Sequence, residues 1–200
     1  MKNDRLIRDM ELRIAPRAAQ EAQEEEYRVE GYAATFEPYV LFRDGETEYK
    51  EVLDPSAFEG ADMTDVVLRV DHEGKVYART SAGDLIVSVD EHGLKQEADL
   101  GRTAAGRSLF EDIRAGHYPK MSYAFTVEED EYDKKEHLRT IKKIRKLYDV
   151  SPVSFPANPG TELDVSTRDY FNGVIEVERY VLKQVRPRLL PNHQQLRRLL

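Results

Sequence analysis

The stretch PKMSYAFTVEED, residues 119–130, decides how this chain is read. Its middle alternates with period two. Met121, Tyr123, Phe125 and Val127 fall on one side of a strand, and Ser122, Ala124 and Thr126 on the other. Four large apolar side chains anchor a strand in a core. The opposite row begins with a small hydroxyl and an alanine. That face either packs closely against another backbone or leaves room for something to approach Ser122.

The flanking segments give the strand its setting. Upstream, TAAGRSLFEDIRAG predicts a helix capped by Thr103, with Leu109, Phe110 and Ile113 as its apolar stripe and Gly116 as its stop. Earlier still come short alternating segments separated by turn signals. YRVEGYAATF starts a strand at Tyr27, with Gly31 a candidate bulge. TEYKEVL follows the Asp44-Gly45 turn, DVVLRVDH ends in His72, KVYARTS comes next, and DLIVSVDEHGLKQEADL folds back around DEHG. DPSAFEG reads as a short helical turn opened by Asp54 and closed by Gly60. Downstream, EEDEYDKKEHLR reads as a charged excursion at a hairpin tip, RTIKKIRKLYDVSPVSF as the returning strand, and PANPGTEL as a closing loop. Short strands with one internal helix predict an α+β domain, a mainly antiparallel β-barrel or sandwich with helices attached.

Composition bounds the function. Of 200 residues, 40% are hydrophobic and 34% charged, enough for one cored domain with an appendage. Residues 1–26, with the run EAQEEE, are expected to be a solvated arm, and residues 27–165 the body. Residues 166–200 are expected to be a helical or partly disordered tail, with Val174, Val177, Tyr180, Val181 and Val185 near helical spacing. No apolar run approaches the roughly 18 residues of a membrane span, and the N-terminus lacks the apolar core of a secretory signal. Cysteine is absent, which excludes disulfides, thiolate nucleophiles and zinc–cysteine sites and suits a reducing cytoplasm. The net charge of −8 disfavours a phosphate backbone, so the main body is not expected to bind nucleic acid. After Glu178 there is no further acid, and Arg179, Lys183, Arg186, Arg188, Arg197 and Arg198 make the end of the chain basic.

Without cysteine, a nucleophile must be a hydroxyl, an amine or a carboxylate. A serine attacks well only when a base within about 2.6–3.2 Å takes its proton. Of the five histidines, His92, His117, His137 and His193 fall in turns, the charged excursion or the tail. Only His72 ends an apolar strand, in phase with Val66, Leu68 and Val70. A third group must hold the imidazole's tautomer, and Asp149 in LYDVSPVSF is placed to do so. Each residue also has a plain reading: His72 as a hydrogen-bonded strand end, Ser122 as a packing choice, Asp149 as a partner for Lys142, Lys143, Arg145 or Lys146. Asp71, His72 and Glu73 could serve a metal-dependent hydrolase, but no second histidine falls at ligand spacing, so no metal and no cofactor are expected.

Taken together, these stretches resemble the tailed-phage prohead maturation proteases, in order from about Val29 to Leu163. VEGYAATF, EVLDPSAF, VVLRVDH, DEHGL, SLFEDIRAGHYPKMSYAF and LYDVSPVSFPANPGTEL are each similar to a family block, the last two most specifically. The family often has Asn-His-Asp where this chain has Asp71-His72-Glu73, and Gly where Ala124 stands. The resemblance implies a fold related to the herpesvirus maturation protease, a closed β-barrel surrounded by helices. It implies His72 as general base and Ser122 as nucleophile. The herpesvirus enzymes use a second histidine as third member; here the corresponding region offers Asp149. The implied activity is a serine endopeptidase that cleaves scaffold or capsid-protein segments, and itself, during procapsid maturation in the host cytoplasm. A dimer is implied by analogy, and the basic tail would retain the enzyme in the shell until trimmed. The alternative is an inactive capsid-assembly scaffold or binding module of the same fold.

Overall fold

The structure is a computed structural model that describes residues 6–11 and 27–154. The tail expected over 166–200, the closing loop after Phe155 and residues 1–5 and 12–26 of the expected arm lie outside the described residues.

The chain is organised around one long hairpin. Strand β9 (Lys120–Asp133) and strand β10 (Leu138–Val153) pair antiparallel along nearly their whole length. The charged stretch expected as an excursion is therefore mostly strand, and the tip shrinks to residues 134–137. Cross-strand charge pairing explains why it holds. Lys143 Nζ lies 3.0 Å from Glu128 Oε1, and Arg139 Nε 2.7 Å from Asp130 Oδ2. Neither pair is directly opposed in the register, but opposite charges on neighbouring positions across a ladder support pairing, where like charges would disrupt it.

The outer edge of β10 carries two further strands in succession. β4 (Thr47–Leu53) pairs parallel with its start, Leu138–Ile141, and β5 (Val67–Val70) pairs parallel near its end, at Asp149 and Val150. β3 (Tyr39–Asp44) pairs with β4, and β6 (Glu73–Arg79) with β5. β1 (Leu6–Glu11) covers the free edge of β9. A second sheet stacks β2 (Arg28–Thr35), β8 (Gly93–Asp99) and β7 (Leu85–Val89) in that order. The β2 irregularity lies between Tyr32 and Ala34, past the expected Gly31.

Most of the strand pairings are antiparallel, as expected, and only the two that β10 makes with β4 and β5 are parallel. The expectation of a closed barrel surrounded by helices is corrected on two counts. Among the described residues the larger sheet ends at β1 on one side and β3 on the other, with no ladder joining them. Among the described residues one α-helix and one short 3-10 turn are present. The β9–β10 ladder contains four register shifts, each of which bends and twists the hairpin. The sheet curls far enough that Arg8 on β1 reaches Glu51 on β4, Nε to Oε1 at 2.6 Å. A buried ion pair links the end strand β1 to β4, the strand next to the other end, where a barrel would use backbone hydrogen bonds.

That contact also corrects the solvated-arm expectation for residues 6–11. An edge strand offers unpaired backbone groups, and β9 supplies their partners. Arg8 is 4% exposed. The core beneath is continuous across both sheets, with Leu68, Leu94, Tyr123, Phe125, Leu147 and Val150 fully buried.

The helix forms as its sequence predicts. α1 (Ala104–Arg114) is capped by Thr103, whose Oγ1 accepts from the Gly106 N–H at 2.9 Å. Gly116, at φ 82, ends it and turns the chain toward β9. Gly106 has a packing reason as well. A Cβ there would lie 2.2 Å from the backbone oxygen of Leu100. Gly→Ala inside a helix ordinarily stabilises by about 1 kcal/mol. Here the clash with backbone reverses the sign. Gly106→Ala is expected to lower unfolding free energy by about 1–3 kcal/mol in urea denaturation; an unchanged or raised midpoint would remove the close-approach explanation.

Candidate active site

The site is built on the register of the central hairpin. Ser122 pairs with Ser151, and Ala124 with Asp149. Directly opposed residues share a face, so these four short side chains form one block on the side away from Tyr123 and Phe125. A bulge sets this arrangement. Phe125 pairs with Leu147 and Ala124 with Asp149, which leaves Tyr148 without a ladder position. Without that extra residue Asp149 would oppose Tyr123 and point into the core.

The histidine arrives from the β5–β6 turn. Asp71 and His72 have φ of 48° and 60°, the left-handed region that most side chains avoid. Hydrogen bonds from β10 and β5 hold the turn there. The Asp71 N–H donates to the Pro152 carbonyl at 3.1 Å, and the Ser154 N–H and Oγ each donate to the Asp71 carboxylate at 2.9 Å. Arg69 Nη1 donates to the His72 carbonyl at 3.2 Å. His72 therefore does not project in phase with Val66, Leu68 and Val70, as its place in the sequence suggested. The turn conformation aims it.

The imidazole bridges the block. His72 Nδ1 lies 2.6 Å from Asp149 Oδ1, and Nε2 lies 2.7 Å from Ser122 Oγ. Ser151 Oγ donates to the same Asp149 oxygen at 2.8 Å. An ionised carboxylate only accepts, so Asp149 places the proton on Nδ1 and leaves Nε2 as the acceptor facing the hydroxyl. Asp149 is fully buried, while the His72 side chain keeps 12% exposure. The three residues singled out in the sequence thus converge, and Asp149 does not serve the neighbouring lysines. Lys142 contacts Asp54, Lys143 contacts Glu128 and Lys146 contacts Asp62.

The other described histidines stand elsewhere: His92 beside Asp90, His117 beside Asp112, and His137 beside Tyr132. His193 and the loop of residues 156–160, considered as a wall for the site, lie outside the described residues. Asp71 faces Ser154 and His72 faces Ser122 and Asp149, so Asp71, His72 and Glu73 do not act together as ligands. Among the described residues no group of three or more such side chains could hold a metal ion.

Three contributors escaped the sequence reading. Ser151 sits two residues from Asp149 in a strand, which is a same-face spacing and could have been found. Ser154 clamps the turn from the far end of β10 and carries no local signal. The third is Arg8. Ser122 is fully buried, and its hydroxyl donates to the Arg8 carbonyl oxygen at 2.6 Å. β1 lies over the hydroxyl in this structure.

Comparison with known proteins bears on this arrangement. Residues 14–173 match the family model described as caudovirus prohead serine protease. A search of curated proteins finds no match. Among solved structures, the chain is similar to the bacteriophage T4 capsid assembly protease, gp21, with a TM-score of 0.51 and 16% identity over 76% of this chain and 98% of that one. At that identity the likeness bears on the fold alone.

The clamp on Asp71 is separable from the reacting atoms. Asp71→Ala loses the bonds to Ser154 and leaves alanine in a left-handed conformation, so unfolding free energy should fall by about 1–2 kcal/mol. Asp71→Asn keeps an acceptor and tolerates that conformation, and should lose less than half as much. Equal losses in urea titrations of the two variants would mean the clamp does not hold the turn.

Proposed function

The chain belongs to the caudovirus prohead serine protease family, and from that premise we propose that it hydrolyses peptide bonds through an acyl-enzyme on Ser122. The observation that carries this reading is the single imidazole lying 2.7 Å from a serine hydroxyl and 2.6 Å from a buried carboxylate. Ser122 Oγ attacks the carbonyl carbon of the substrate. His72 Nε2 takes the proton and returns it to the departing amine. Asp149 holds the Nδ1 proton and stabilises the imidazolium that forms, and Ser151 fixes the carboxylate oxygen that does this. Water then repeats the sequence on the ester and restores Ser122.

The substrates are segments of the capsid or scaffolding protein and the protease itself. The protein named in the structural comparison is a capsid assembly protease, which supports that class. The work takes place inside an assembling procapsid in the host cytoplasm. Residues 27–165 form the working body, and the basic tail over 166–200 retains it in the shell.

The test is cleavage of the capsid-protein precursor in the presence of the purified chain. Ser122→Ala should remain folded and lose activity by at least about 10³-fold, and Asp149→Asn should fall on the order of 10⁴-fold, since it forces the wrong tautomer. A Ser122→Ala variant that cleaves as well as its parent removes this mechanism. An inactive scaffold of the same fold predicts no cleavage by the parent itself.

A further inference from the structure

β1 occupies the site as a substrate would. It adds to the free edge of β9 as an antiparallel strand, with Asp9 opposite Ser122 and Arg8 opposite Tyr123. Strand addition to a sheet edge is a common way for proteins to hold an extended peptide. The register brings one peptide unit to the hydroxyl: the carbonyl oxygen of Arg8, the acyl side of the Arg8–Asp9 bond, lies 2.6 Å from Ser122 Oγ. The hydroxyl has one proton and two acceptors beside it, His72 Nε2 and this carbonyl.

The Arg8 side chain goes the other way. Paired with Tyr123, it lies on the face opposite Ser122, with its guanidinium carbon 5.9 Å from the centre of the Phe125 ring. Glu51 receives it as a fork, Nε to Oε1 at 2.6 Å and Nη2 to Oε2 at 3.1 Å. Glu51 is fully buried and also accepts from Tyr39 Oη at 2.6 Å and from Arg139 Nη1 at 3.1 Å. Arg139 in turn donates to Asp130. Among the described residues, with Arg8 left out, two carboxylates, Glu51 and Asp130, stand here against one guanidinium, Arg139. Arg8 brings a second cation to Glu51. Burial opposes charge on both partners, yet their mutual attraction wins: the Arg8 guanidinium is held more firmly charged, and the Glu51 carboxyl is kept below its usual range by Arg8 and Arg139. Ser122, Glu51, Asp130 and Arg139 all lie inside the family match, which begins at residue 14, whereas β1 precedes it. The acidic pocket lies within the matched stretch, and its occupant lies outside it.

We propose that this pocket selects the residue on the acyl side of the cut, that Glu51 makes it choose arginine, and that the chain's own Arg8–Asp9 bond is cut first. The proposal rests on Ser122 being the nucleophile. Ser122 Oγ bonds to the Arg8 carbonyl carbon while the bond to the Asp9 nitrogen breaks. The proton held by His72 passes to that nitrogen, which becomes a new N-terminal amine. Water hydrolyses the ester, returns the proton to Ser122 by way of His72, and releases residues 1–8 with Arg8 as a free carboxylate. Until then the edge that other substrates need is filled.

The experiment uses the full chain. Intact mass and N-terminal sequencing should find a terminus at Asp9 in the natural protein and none in Ser122→Ala. Quenched fluorescent peptides Leu-Ile-X-Asp-Met-Glu should then be cleaved after X, with arginine favoured over glutamine by at least about 100-fold in kcat/KM, because a buried carboxylate left without its cation penalises the neutral analogue. Glu51→Gln should shift that preference toward glutamine, a change in selectivity that misfolding cannot produce. The peptide series on the natural chain decides the matter even where Glu51→Gln fails to fold. A protein that cuts the capsid precursor by way of Ser122, yet retains residues 1–8 and cleaves arginine and glutamine peptides equally, overturns this proposal and leaves the protease reading standing. A protein inert toward all of these overturns both.

Discussion

One extra residue in strand β10 organises the site. Tyr148 falls outside the ladder between Leu147 and Asp149, and everything beyond it changes face. Leu147 opposes Phe125 and Val150 opposes Tyr123, so both apolar pairs still meet in the core although their spacing is odd. Asp149 and Ser151 then fall on the side of Ser122. Side chains alternate with a period of two, so no regular strand could place Leu147, Val150 and Asp149 where they are. The apolar pairs on one face hold the register, and the polar block on the other inherits it. Core packing and chemistry are therefore two faces of one constraint, and neither can shift without the other.

The second organising contact is the ion pair of Arg8 and Glu51. Buried charges are costly unless each is paired and its remaining hydrogen-bonding capacity is met. Glu51 meets this condition with donors from three elements, β1, β3 and β10, gathered on β4. The bulged hairpin bends the sheet enough to bring those elements together. The curl that fails to close a barrel by backbone pairing succeeds in making a pocket. An ungapped ladder would have filled that space with strand.

Much of this was legible in the sequence, for reasons that differ by residue. α1 was legible because Thr103 and Gly116 act locally. The Met121–Val127 alternation was legible because both of its faces are used. His72 was singled out on a phase argument that the structure does not follow: phase with Val66 and Leu68 placed it on an inward face, whereas a left-handed turn pinned by Ser154 aims it. Nothing within a few residues of His72 reports that clamp, since its partner lies at the far end of another strand. The charged run 128–137 was misread because polarity suggested a loop, while pairing across the strands supplied the partners that a single strand lacks. β1 was illegible for a similar reason. LIRDME has too little apolar pattern to declare a strand, and its stability comes from an edge and a carboxylate elsewhere in the chain. The odd spacing of Leu147 and Val150 did carry the bulge, had it been followed through.

The geometry of β9 divides labour between its faces. A peptide lying along the edge has its carbonyls near the plane of the sheet, so a nucleophile must come from above or below. Ser122 stands on one face, and the Arg8 pocket opens on the other. The backbone hydrogen bonds of an added strand are blind to sequence, and they would accept a peptide slid by two residues, about 7 Å, as readily as the right one. A slide by one residue turns the side chains over. On the proposed mechanism neither error is corrected on the Ser122 face, where the only requirement is a carbonyl. Register must then be set from the opposite face, by a contact that one side chain satisfies and its neighbours do not. A buried carboxylate that also accepts from Tyr39 and Arg139 is such a contact, because its pairing with a cation is lost when the wrong residue arrives.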